Sequence, residues 1–174
     1  MATFYEYFMA SLPFLHFAGK PPFSHSQFLE QAGKFIPKDD ISVLHEALHE
    51  DEWVTGSLEP SLVKWVYFNR QLKNEIAKIR TSRKHLDPNK YLRGDSYVDA
   101  SLAHTVAALH RNPSLIEQEL QLDALRWQFL EELEVGHYFD LDALLIYILK
   151  LRIMERWEKI NTVNKEKLLE ALLA

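Results

Sequence analysis

The chain has 174 residues, enough for one ordinary domain or two small ones with a real core and no stapling metal or disulfide. With 47% hydrophobic and 26% charged residues it reads as soluble and globular, and its net charge of -5 argues against general nucleic-acid binding. There is no cysteine, which excludes disulfides, thiolate zinc sites and cysteine nucleophiles. The five glycines form neither GxGxxG nor GxxxxGK[ST], which removes the usual phosphate-cradling loops.

The N-terminal stretch "MATFYEYFMASLPFLHF" is aromatic and apolar, but it lacks a positive n-region and contains Glu6. It is a poor signal peptide and the only candidate strand, and the protein is expected in the cytoplasm. Ser24 or Ser26 then caps a helix to Ile36 with Phe28, Leu29, Ala32, Phe35 and Ile36 as its buried stripe, and Pro37 ends it. Asp39 or Asp40 opens a second helix through about Glu52, before a turn at Gly56.

Glu59 and Pro60 begin a long helix to about His85, with Leu62, Val63, Val66, Asn69, Leu72, Ile76 and Ile79 along one side. "DPNKYLRGDS" breaks the pattern through Asp87, Pro88 and Gly94 and marks a loop or hinge near residues 86–96. A short alanine-rich helix spans Tyr97 to Leu109. Asn112 and Pro113 then cap a helix to about Glu134, which Gly136 terminates.

The next segment, "FDLDALLIYILKLRIMERWEKI", is apolar enough to suggest a membrane span. Its uninterrupted apolar run is only Ala143 to Leu149, however, far short of the roughly 18 to 25 residues a span needs. Asp140 offers its N-cap. Leu141, Leu144, Leu145, Ile148 and Leu151 recur at helical spacing while Tyr147, Met154 and Trp157 lie elsewhere around the axis, so the helix is in contact on most sides.

Arg152, Glu155 and Lys159 are spaced to pair along this helix. Lys150 has no acid within one turn, so it either snorkels to water or meets an acidic partner on another helix or a neighbouring subunit. Thr162 or Asn164 starts a final short helix. The expected fold is all-α, a bundle of about six to seven helices with a short N-terminal strand, forming one domain over residues 1–174 or two subdomains joined near 86–96.

Two patterns bear on chemistry. "HEALH", His45 to His49, matches HExxH, in which two histidines one turn apart bind zinc and the glutamate activates water. The extended form fails, because Glu52 replaces its glycine and Thr55 its third histidine, leaving Glu75 as the nominal third ligand. No GxSxG surrounds any serine, and Glu131, Glu132 and Glu134 read as a solvated face, so no catalytic residue, metal or cofactor is assigned. The second pattern is the basic run Lys73, Lys78, Arg80, Arg83, Lys84, Lys90 and Arg93, opposed only by Glu75 and Asp87. It is either a solvated helix end or a surface for an acidic protein partner, since the aromatics that would stack nucleic-acid bases are nearly absent.

Several segments together carry a resemblance: "YFMASLPFL", "LKNEIAKIR", "DPNKYLRG" and "LRWQFLEEL...HYFDLDALLIYILKLRIMERW". Their order resembles an uncharacterised bacterial family encoded beside V-type (V/A-type) ATPase genes and related to the central-stalk subunit called C or d, a helical socket between the rotor ring and the soluble shaft. The resemblance spans nearly the whole chain and is most specific at its C-terminal motif. It implies a non-catalytic subunit or assembly factor, peripheral to the membrane through its complex, with no membrane insertion. Its partners would be central-stalk or rotor-ring subunits, met through Lys78, Arg80, Arg83, Lys84, Lys90, Arg93 and Lys150. The alternatives are a zinc hydrolase using His45, Glu46 and His49, and a helical adaptor for an unrelated acidic protein.

Overall fold

The structure is a computed structural model that describes residues 2–49, 59–94 and 99–173, with side chains from residue 4 to 163 within those ranges. Among the described residues there are seven α-helices and no strand. They are α1 (Ala2–Ser11), α2 (His25–Ala32), α3 (Lys38–Leu48), α4 (Pro60–Arg83), α5 (Ala100–Leu109), α6 (Leu115–Glu134) and α7 (Leu141–Leu173), with a one-turn 3-10 helix at Pro88–Lys90. No helix among them is long and apolar enough to cross a membrane. The fold is all-α, and the expected N-terminal strand is instead α1.

Helix starts follow their caps. Ser24 and Gln27 form a reciprocal capping box at α2, and Asp99 accepts from the Ser101 amide at α5. Asp140 accepts from the Ala143 amide at α7, at 2.9 Å. Pro37 does not end α2, which stops at Ala32; it is the N-cap of α3. Ser114 rather than Asn112 precedes the first turn of α6 and bonds the amides of Gln118 and Glu117. Asn112 supports that cap by accepting from the Ser114 amide. The expected break at Thr162 or Asn164 does not occur, because the Thr162 hydroxyl donates back to the Glu158 carbonyl and α7 runs on. The expected end of the second helix near Glu52, the Gly56 turn and the Tyr97 start lie outside the described residues.

The chain divides into two compact units, residues 1–61 with 130–174, and residues 62–129. In the first, α2 and α3 pack on each other and on α7. Its core holds Phe8, Phe28, Leu44, Leu130, Leu144, Leu145, Ile146, Ile148 and Leu151, all almost fully buried. Phe8 stacks near Phe28 and Phe35, which explains why the aromatic N-terminus is helical: one face of α1 has rings to pack against.

Two charges of α7, Arg152 and Glu155, act on the ends of neighbouring helices. Arg152 donates to the Leu48 carbonyl at the C-terminus of α3. Glu155 accepts from the His25 amide at the N-terminus of α2, at 2.9 Å, and lies 2.6 Å from the His25 imidazole. A cation at a helix C-terminus and a carboxylate at an N-terminus each satisfy orphan backbone groups and complement the helix dipole.

In the second unit Leu72, Ile76, Val106 and Leu122 form a buried cluster, with Phe68, Ile79, Leu102, Leu109 and Leu125 packed against it. Phe68 and Phe129 stack face to face at 4.1 Å. Trp65 is buried on α4 where the sequence had placed Val63, which is exposed. Asp123 is buried and paired with Arg126 at 2.6 Å, and Arg126 donates also to Asn69. The 86–94 stretch lies inside this unit.

Candidate functional site

Lys150 does not snorkel. It is buried, and its ammonium donates to Glu134 at the end of α6, so the partner comes from another helix. That internal pair buries Lys150, while the Glu134 side chain at its other end stays about half exposed.

The two histidines of "HEALH" lie at the C-terminal end of α3. His45 is exposed on α3, whereas His49 is the C-cap, with φ -95° and ψ 69°, and its amide turns back to the Glu46 carbonyl. Among the described residues no third histidine or carboxylate converges on the pair. The one convergent histidine and carboxylate group among the described residues is His137, Asp140 and Asp142, between α6 and α7. His137 lies 2.7 Å from Asp140 and 3.5 Å from Asp142. With Asp140 also bonded to the Ala143 amide, this group serves as the N-terminal cap of α7.

The basic run builds a more specific feature. The helix α4 ends in a Schellman turn: His85 has φ 54°, its amide bonds the Ser82 carbonyl, and the Leu86 amide bonds the Thr81 carbonyl at 2.9 Å. Asp87 then accepts from the Asn89 amide and sets the 3-10 turn, which closes with the Tyr91 amide on the Pro88 carbonyl. Two residues later the Arg93 amide donates to Asn74 Oδ1 and the Arg93 carbonyl accepts from Asn74 Nδ2, both at 3.0 Å. Gly94, at φ 69°, follows with the Arg70 guanidinium so close that an added Cβ would lie 2.8 Å from it. The stretch expected to be a hinge is tied at both ends to α4.

The predicted cations then divide by what holds them. Lys78 pairs with Glu75 at 2.6 Å. Arg80 approaches Glu119 at 3.7 Å, while Arg83 donates to the His110 carbonyl at the C-terminus of α5. Lys84, Lys90 and Arg93 are exposed along the tied segment, and between them Leu86 and Tyr91 are 45% and 52% exposed. With Lys78 and Arg80 facing carboxylates and Arg83 on a carbonyl, the exposed positive charge rests on Lys84, Lys90 and Arg93. The tied segment is a ledge that carries three exposed cations, Lys84, Lys90 and Arg93, and two partly exposed side chains, Leu86 and Tyr91.

Sequence reasoning located the cations but missed Asn74, Leu86 and Tyr91. "DP" followed by Asn89 is the signal for the Asx turn that presents Tyr91. Nothing in the pattern marks Asn74, whose partner is 19 residues away.

Fold and site together define an all-α protein with a preorganised cationic face. Residues 104–173 match the family DUF2764, described as a protein of unknown function. No curated protein and no solved structure matches the chain.

Proposed function

We propose that this chain is a non-catalytic subunit or accessory factor of a V-type ATPase, docking through the ledge at the end of α4 on an acidic surface of the central stalk or rotor ring. The observation that carries the reading is the ledge itself: cations and two exposed apolar side chains held in one conformation by Asn74 and the Schellman turn. Positive surfaces of this kind steer encounter with negative ones and fix register. The choice of an ATPase rests on the sequence resemblance, whose most specific segment, Leu125 to Trp157, falls within the matched residues 104–173. A continuous α7 of 33 residues, about 50 Å long at 1.5 Å per residue, suits a part that joins subunits. On this reading the protein works in the cytoplasm, at the membrane's edge through its complex.

The test is purification of the tagged chain from its native cell at low ionic strength, followed by mass spectrometry. Stalk or rotor-ring subunits should accompany it and leave as salt is raised. Their absence at every ionic strength contradicts the proposal, and an unrelated acidic protein in their place selects the adaptor reading.

A further inference from the structure

We infer that Tyr91 and Leu86 are the anchors of this docking face, and that the partner offers an apolar socket rimmed by carboxylates; the inference rests on the docking reading above and names the chemistry of its partner. In a Schellman turn the residue that follows the left-handed position ordinarily folds its apolar side chain back onto the last helical turn. Here that turn offers Thr81, which is buried and bonds the Ala77 and Lys78 carbonyls, and Leu86 stays 45% exposed. Tyr91 is 52% exposed at the end of the 3-10 turn. Both are about half exposed, and the backbone amide of each is hydrogen-bonded.

Fixation decides the class of partner. Binding costs less when the contacting segment is already ordered, and interface energy concentrates in a few aromatic and arginine side chains surrounded by a polar rim. Leu86 and Tyr91 lie five residues apart on one tied segment that also carries exposed Lys84, Lys90 and Arg93, and the segment has that composition. A fluid bilayer gains nothing from a rigid loop, and a single exposed ring is too little platform for stacked bases. The complement is a protein surface with an apolar depression among Asp and Glu side chains.

The two parts of the face should separate kinetically. Apolar anchors act on dissociation, and rim charges act on association. The probe is the V-type ATPase purified from the same cell and immobilised, with the full chain as analyte. Tyr91→Ala and Leu86→Ala should each raise the dissociation rate roughly tenfold or more and leave the association rate within about twofold. Lys84→Glu with Lys90→Glu should do the reverse at low salt. Unchanged melting temperature and unchanged exchange at the Arg93 amide show that each variant keeps its fold.

If the ATPase binds and neither anchor variant alters dissociation, the inference is overturned while the docking reading stands. If the unaltered chain does not bind the ATPase, the docking reading fails, and the anchor is judged by a benzophenone amino acid placed at position 91. Photo-crosslinking to one sequenced, carboxylate-rich peptide supports it. Adducts only with phosphatidylserine vesicles or a single-stranded oligonucleotide, or no adduct at all, overturn it.

Discussion

Removing the Asn74 side chain with Asn74→Ala should release the ledge without unfolding the unit beneath it. Asn74 is 7% exposed and its amide makes two 3.0 Å bonds to the Arg93 backbone, one donated and one accepted. At a net 0.5 to 1.5 kcal/mol per bond, the pair is worth about 1–3 kcal/mol. Arg93 is exposed, so water can satisfy its freed amide and carbonyl, and no large penalty for a buried orphan group is added. The loss is therefore local. Native-state hydrogen exchange reads it directly: the Arg93 amide should exchange roughly 10- to 100-fold faster, since each 1.4 kcal/mol is a factor of ten. The Leu86 amide, held by the Thr81 carbonyl, should change by less than about threefold. An unchanged Arg93 rate would refute the clamp, and equal acceleration at Leu86, Arg93 and the core of α4 would show a general destabilisation instead.

Leu145→Ala should cost about 2–5 kcal/mol in urea denaturation, because the side chain is 1% exposed in the first unit; a loss under about 0.5 kcal/mol would contradict that burial. Lys150→Met keeps the volume and removes the buried charge bonded to Glu134, so stability should stay within about 1 kcal/mol of the native chain or rise. A loss above about 3 kcal/mol would show that the ion pair is a net stabiliser. Burial, with the Asp142, Asp40 and Asp140 carboxylates adding to it, holds Glu59 above the usual carboxylate range. The folded state thus binds this proton more tightly than the unfolded state, and stability falls as pH rises from the ordinary glutamate value through the folded one. Glu59→Gln should therefore raise the melting temperature at pH 7 and lose that advantage below about pH 4, where both states are protonated; an equal gain at both pH values would contradict the sign.

What the sequence showed was local, and what it hid was distant. Ser24 and Asp140 mark helix starts through bonds to residues a few positions away, and Gly136 marks an end by its left-handed φ of 93°, so they could be read directly. Thr162 carries the same cap chemistry, but its hydroxyl turns back along α7 and the helix continues. The aromatic N-terminus suited a strand by propensity, yet it is a helix whose Phe8 packs against the rings of Phe28 and Phe35. Arg152 and Glu155 had apparent partners one turn away, yet their partners lie 104 and 130 residues away at the ends of α3 and α2. The cations of the ledge were legible as composition. Their rigidity was not, because it depends on one buried asparagine, and the exposure of Leu86 and Tyr91 leaves no periodic trace.

The most direct test of the docking account is the association rate of the chain with the purified V-type ATPase at two ionic strengths, for the native chain and for Lys84→Glu with Lys90→Glu. Attraction between the ledge and an acidic surface predicts a native rate that falls steeply as the Debye length shrinks from about 30 Å at 0.01 M to about 8 Å at 0.15 M. The charge-reversed chain should associate at least tenfold more slowly at the lower salt and converge on the native rate at the higher. Equal rates for the two chains at both ionic strengths would contradict the account.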